Sequence, residues 1–205
     1  MYYTEYPSII EECPRVIVIG DVHGDIARLI QCLIATKVIN ENNEWIADPP
    51  NTIVVQLGDQ VDSASRGASV EWEKVADTEV IQFMDSLDDK AHAKGGRVFS
   101  LIGNHEMMNV VGDFTYVSSK SMQLTGGQEL RKRRFQPGGP LARQLSKRNI
   151  ILKIGDLCFC HGGLLPYRDS STRGVHQSPS MVVNMPTIVQ HLSTGDPIES
   201  RSLSW

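Results

Sequence analysis

The sequence has no apolar stretch near the ~18 residues that a membrane-crossing helix needs, which excludes a helical span within it. Its first residues, Met1-Tyr2-Tyr3-Thr4-Glu5-Tyr6, lack the basic-then-apolar order of a secretion signal. Cysteine is scarce: Cys13, Cys32, Cys158 and Cys160 show no Cys-x-x-Cys spacing and form no dense framework. A reducing compartment is therefore expected, cytoplasmic with nuclear as the alternative. Neither sign of charge dominates, the formal net value being −4. That excludes a global attraction to nucleic acid or to an anionic membrane, so any anion binding must be local. Internal repeats and low-complexity tracts are absent as well.

What is present suits one substantial folded domain. The chain has 205 residues, 40% of them apolar, and 17 glycines, enough for a sizeable core. Residues 1–14 read as a loosely organised lead-in ending at Pro14, and residues 15–205 as the domain proper. Arg15–Ile19 is a β-branched run closed by Gly20, which predicts a strand buried on both faces. Ile26, Leu29, Ile30, Leu33 and Ile34 recur at helical spacing behind Asp25, a predicted N-cap. A second strand over Thr52–Leu57, a long helix from about Ser69 to Ala93 and a third strand over Arg97–Ile102 come next. Such alternation argues for an α/β sheet. Val111 to Lys147 reads as short helices joined by loops. Ile150–Ile154 and Leu157–Cys160 read as a hairpin turning at Gly155-Asp156, and Ser180–His191 as one further helical stretch.

The chemistry lies at the strand ends. Strand one runs into Gly20-Asp21-Val22-His23-Gly24-Asp25, strand two into Gly58-Asp59-Gln60-Val61-Asp62, strand three into Gly103-Asn104-His105-Glu106, and the last into His161-Gly162-Gly163. Ligands of open α/β sheets bind at the carboxyl ends of the strands, so these loops are expected to converge. Carboxylate, imidazole and carboxamide without thiolate favour a divalent ion such as manganese, iron or zinc over a Cys-ligated structural zinc. Asp21 and His23, two apart in extended chain, point the same way. A carboxylate from Asp59 between two ligand sets is placed to bridge two ions.

In this order, Gly-Asp-x-His-Gly, Gly-Asp-x-Val-Asp, Gly-Asn-His-Glu and His-Gly-Gly resemble the signature of the phosphoprotein phosphatase branch of the metallophosphoesterases. Gly103 to Val117, with Pro137-Gly138-Gly139-Pro140, is similar to the Shewanella-like phosphatases. The resemblance implies the calcineurin-like α/β fold, two mixed sheets between helices. It implies two divalent metal ions, manganese first and iron or zinc next, with Asp21 and His23 on one, Asn104 and His161 on the other, and Asp59 bridging. It further implies His105 as general acid, Asp62 holding its imidazole, a metal-bound hydroxide as nucleophile, and a phosphoprotein substrate, with no nucleic-acid or membrane partner.

The sequence departs from that pattern in two places. The family sets an arginine directly after the aspartate matched by Asp62, whereas Ser63-Ala64-Ser65 intervene here before Arg66, the expected phosphate-binding residue. A further metal-binding histidine, in a Gly-His element well downstream of His-Gly-Gly, is not reached before Trp205, so a catalytic domain incomplete at its C-terminal side is expected. The competing readings are a hydrolase of diadenosine polyphosphates or other small phosphoesters, and a phosphoprotein-binding module without turnover.

Other residues carry plainer expectations. Turn-forming and capping roles would explain the strand-end residues singly, though not their shared edge. His92 reads as compensating a helix end. His176 and His191, conceivable substitutes for the missing ligand, read as a loop residue and a helix-end cap. Arg131 to Arg134 reads as solvated surface, with substrate steering the alternative. Cys158 and Cys160, on one face of a strand, read as core thiols. Trp45 sits in a connecting loop with no assigned role.

Overall fold

The computed structural model describes residues 7–63 and 74–163. Its elements are β1 (Ile9–Ile10), β2 (Val16–Ile19), α1 (Ile26–Ala35), β3 (Ile53–Gln56), α2 (Glu79–His92), β4 (Arg97–Ser100), α3 (Asn104–Val111), α4 (Ser119–Leu124), α5 (Gln128–Phe135), α6 (Pro140–Leu145), β5 (Ile151–Ile154) and β6 (Leu157–Cys160). Two three-stranded sheets result, ordered β2-β3-β4 and β1-β5-β6.

The first sheet is parallel throughout, with Val16 opposite Ile53 and Ile53 opposite Arg97. β3 lies between the other two strands and is buried along its whole length. Alternation across the pleat splits its side chains between two cores. Val54 packs with Leu29, Leu33, Val80, Met84 and Leu87 beneath α1 and α2. Ile53 and Val55 join Phe99 and Leu101 against Leu152 and Ile154 of the second sheet. The two sheets therefore face one another. Burial on both faces, expected for the first strand, belongs to β3 instead. β2 is an edge strand among the described residues, with Val18 47% exposed. A β-branched run reports fitness for a pleated surface, not position within the sheet.

In α1 the Asp25 carboxylate accepts the Arg28 backbone N–H at 2.9 Å, the predicted cap. α2 starts only at Glu79, and residues 74–78 are not helical. The Asp77 carboxylate is drawn instead into a buried network with Arg131 and Ser121. Trp45, given no role from sequence, is 1% exposed in the core beneath α1 and α2. A loop that folds back over a core leaves no periodic trace.

β5 and β6 form the expected antiparallel hairpin, turning at Gly155 with φ +55°. The lead-in supplies β1, which pairs in parallel with β5 through Ile9–Lys153 and Ile10–Ile154. Cys158 is exposed and Cys160 half-buried, so the pair is not a set of core thiols. β6 stands at the edge of its sheet among the described residues, paired with β5 alone. A third cluster, Val61, Ile81, Ile102, Met107, Val110, Phe135, Leu141 and Leu145, ties α3, α5 and α6 to the strand-end loops. Among the described residues no helix is long and apolar enough to cross a membrane.

Candidate metal centre

Because β2, β3 and β4 are parallel, the loops after all three leave the same edge of one sheet. Backbone bonds lock the first two loops together: the Val22 and His23 N–H groups donate to the Asp59 carbonyl at 3.0 and 2.9 Å, and Gly24 N–H to the Gln60 carbonyl at 2.8 Å. The third loop is joined by one carboxylate. Glu106, fully buried, accepts the backbone N–H groups of Gly103 at 2.8 Å, Asp59 at 2.9 Å and Gln60 at 2.8 Å. Contact between the second and third loops is tight enough that a Cβ on Gly58 would lie 2.7 Å from Gly103 Cα. Gly58 also has φ +100°, so glycine is required there twice over. His23, Asp59 and Asp62 are themselves left-handed, with φ of 48°, 53° and 69°. Such conformations cost non-glycine residues energy and persist only where surroundings enforce them.

This backbone brings Asp21, His23, Asp59, Asn104, His105 and His161 together. Asp59 lies at the middle. Its Oδ2 is 3.3 Å from His161 Nε2, 3.9 Å from His23 Nε2 and 3.9 Å from His105 Nε2. Its Oδ1 accepts the His105 backbone N–H at 3.0 Å, at the start of α3. Asp21 is half exposed, with Oδ2 3.6 Å from His23 Nε2 and Oδ1 3.8 Å from His161 Nδ1. Asn104 Oδ1 lies 2.9 Å from His161 Nε2. Two groupings have ligand atoms mutually close enough for a single ion: Asp21 with Asp59 and His161, and His23 with Asp59 and His105.

The donor atoms fit divalent cations. His23 Nδ1 lies 3.1 Å from the carbonyls of both Val61 and Asp62, which can only accept, so Nδ1 carries the proton. Nε2 is then a buried lone pair without a hydrogen-bond partner, facing two carboxylates. Carbonyl support on one ring nitrogen with the other turned inward is the usual setting of a metal-binding imidazole. His161 repeats it, with Nδ1 3.0 Å from the Leu57 carbonyl. Hydrogen bonding to Asp59 raises the pKa of His161 against the effect of burial, with the Asp59 and Asp21 charges adding to the rise. Burial alone would lift the Asp59 carboxyl, but hydrogen bonds from His161 and the His105 amide, with the imidazole charges, hold it below its ordinary value. Negative charge is concentrated here and calls for a cation.

A family model for calcineurin-like phosphoesterases matches residues 14–191. The chain belongs to that family. Members are metallophosphoesterases, so divalent metal ions are implied at this cluster. Shewanella-like protein phosphatase 1 of Plasmodium berghei (strain Anka) is 32% identical over 166 residues, 80% of this chain and 42% of that protein. Shewanella-like protein phosphatase 2 of Arabidopsis thaliana is 27% identical over 198 residues, 76% of this chain and 48% of that one. The chain thus spans less than half the length of these relatives. The crystal structure of a cold-active protein-tyrosine phosphatase of a psychrophile Shewanella sp. superposes with a TM-score of 0.62 at 29% identity, covering 78% of this chain and 45% of that chain.

His105 is buried, and its Nδ1 lies 2.9 Å from Asp62 Oδ2. Burial raises the Asp62 carboxyl above its ordinary value, opposed by hydrogen bonds from Asn109 and His105 and by the Arg131 charge, while the Asp77 charge adds to the rise. Sequence reasoning missed several residues around this pair. Tyr116 packs edge-on against the His105 ring with centroids 5.1 Å apart. Arg131, expected at the surface, is fully buried; Lys132 and Arg133 remain exposed. The available signal was its spacing four residues before buried Phe135, which puts both on one helix face. Arg66, His176 and His191 lie outside the described residues.

Proposed function

We propose that the chain hydrolyses phosphate monoesters with two divalent cations held between these loops, acting on phosphoserine or phosphothreonine in proteins. The observation that carries this reading is the single Asp59 carboxylate oxygen 3.3 to 3.9 Å from the Nε2 atoms of His161, His23 and His105. In this scheme Asp21 and His23 hold one cation, Asn104 and His161 the other, and Asp59 belongs to both. Manganese heads the choice, with iron and zinc suited to the same donors. Such ions, when bound, neutralise phosphoryl charge and acidify water enough for attack near neutral pH.

The chain's own residues supply the rest. His105 donates Nδ1–H to Asp62, which turns Nε2 toward the cluster. A proton held at that Nε2 passes to the departing ester oxygen. Tyr116 restrains the ring from its edge. Arg66 is the proposed guanidinium partner of the phosphate, and no side-chain nucleophile enters the scheme. A cytoplasmic setting is part of the proposal, supported by the free thiols of Cys13, Cys32, Cys158 and Cys160.

The name borne by the solved relatives favours phosphotyrosine as a second substrate reading. Manganese-loaded chain offered phosphoserine, phosphothreonine and phosphotyrosine peptides and diadenosine tetraphosphate separates the cases. Release of phosphate from the first two peptides above the others is expected. Preference for phosphotyrosine or for the dinucleotide would move the substrate accordingly. His105→Asn should lower kcat/KM on the phosphoserine peptide by roughly 10²–10⁴-fold, the usual contribution of a general acid. Equal rates for both chains would remove His105 from that role.

A further inference from the structure

Beneath the Asp62–His105 pair lies a buried polar layer that the proposed hydrolysis does not use. Arg131 of α5 is fully buried and spends four hydrogen bonds there. Its Nη1 and Nη2 grip the Asp77 carboxylate at 2.8 and 2.9 Å, its Nε donates to Asn109 Oδ1 at 2.7 Å, and Nη2 also donates to Asp62 Oδ1 at 3.2 Å. Asp77 is braced in turn by the Ser121 hydroxyl at 2.6 Å and accepts the Asp62 backbone N–H at 2.9 Å.

We propose that Arg131, clamped by Asp77, is a positioning residue that acts through Asn109 and Asp62 to aim His105 Nε2 at the Asp59 cluster. The proposal rests on the reading of His105 as general acid. Its physical basis is directional. A guanidinium can only donate, so the Asn109 atom facing Arg131 must be the oxygen, which turns the amide NH₂ toward Asp62. That NH₂ donates to Asp62 Oδ1 at 2.8 Å and to the His105 carbonyl at 2.9 Å. Asp62 Oδ1 then carries two donors, from Asn109 and Arg131, and Oδ2 is left to receive His105 Nδ1–H at 2.9 Å. With Nδ1 so fixed, Nε2 faces Asp59 Oδ2. Remove the fork and the Asn109 oxygen loses its donor and Asp62 Oδ1 one of its two, so the amide is held from its NH₂ side alone. An exposed arginine would serve α5 equally well as a solubilising residue. A buried, four-bonded one is costly to maintain, and replacing such a pair by apolar residues is often neutral or stabilising.

The test uses the full chain with Arg131→Lys, which keeps the charge and loses the fork, and Asn109→Ala, which keeps Arg131 and Asp77. The first readout is proton NMR of the metal-free chain. The His105 Nδ1–H resonance, downfield through its bond to a carboxylate and assigned by its loss in His105→Asn, should vanish or move upfield in both variants. The His161 Nδ1–H resonance should stay. An unchanged His105 signal in either folded variant overturns the proposal, as does a wild-type chain without it. If Arg131→Lys does not fold, Asn109→Ala decides by the same signal; unfolding of both assigns the layer to folding alone and rejects the positioning role.

The second readout is turnover with manganese. kcat/KM should fall by about tenfold or more on phenyl phosphate, whose leaving group needs a proton, and by less than about threefold on 2,4-dinitrophenyl phosphate, whose leaving group does not. Equal losses on both esters overturn the proposal. A wild-type chain that shows the resonance but hydrolyses neither ester defeats the proposed function, and the NMR comparison still decides the positioning.

Discussion

The Glu106 carboxylate receives the backbone N–H of Asp59 at 2.9 Å, across 47 positions of sequence. The same group holds Gly103 and Gln60, so one buried side chain sets the spacing between the second and third strand-end loops. Glu106→Gln presents an NH₂ to N–H donors and leaves at least one of them unsatisfied. The expected loss is about 2–3 kcal/mol, read as a lower urea midpoint at unchanged slope. An unchanged midpoint would show that the loops are held by other means.

Asp59→Asn keeps the shape of the central side chain and removes its charge. Both cation sites should weaken together, because the same Oδ2 lies toward His161 and His23. Metal analysis after manganese loading and gel filtration is the check. Two retained equivalents would contradict a shared carboxylate.

Gly103→Ala tests the close approach directly. An added Cβ would meet the Asp59 Oδ1 and lie 2.5 Å from the Asp59 nitrogen, so the backbone must shift. Manganese affinity should drop by about tenfold or more, the scale seen when groups that orient metal ligands are disturbed. Isothermal titration at matched pH would show it. Wild-type affinity would mean that the loop yields at no cost to the site.

Asp77 supplies a pH dependence. Burial opposes its ionisation, but the hydrogen bonds and charge of Arg131, with Ser121 and the Asp62 amide, hold its pKa below the ordinary 3.8. A carboxyl depressed on folding contributes stability that is fully present above its unfolded value and is lost as pH falls through the folded one. The loss therefore begins below about pH 4. Asp62, raised on folding, has the opposite sign: its contribution is lost as pH rises from the ordinary 3.8 through the higher folded value. Asp77→Asn leaves a buried guanidinium half paired, so about 3–5 kcal/mol should go at neutral pH, and the acid limb of urea stability below about pH 4 should flatten. An acid limb as steep as in the wild type would assign it to other carboxyls.

Much of this protein is legible in its residues because the signals are local. Ile26, Leu29 and Leu33 behind Asp25 announce α1, and Gly155-Asp156 between two apolar runs announces the hairpin, since helical spacing, caps and tight turns depend on near neighbours alone. Three of the four strand-end motifs are legible for the same reason: each succeeds its own strand, and parallel strands share an edge. His161 instead follows β6 of the other sheet, which pairs antiparallel with β5. What the fold alone decided is of another kind. The burial of Arg131, the place of Trp45 in a core, the edge position of β2 and the late start of α2 depend on contacts between distant segments. No neighbour in sequence records them. Asp62 meets His105 and Arg131 across 43 and 69 positions. A run of four basic residues looks solvated until a helix face turns one of them inward, where desolvation obliges it to find carboxylates. The amino-acid order settled which groups stand at the strand ends; only the packing settled which of them touch, because hydrogen-bond partners are chosen in space.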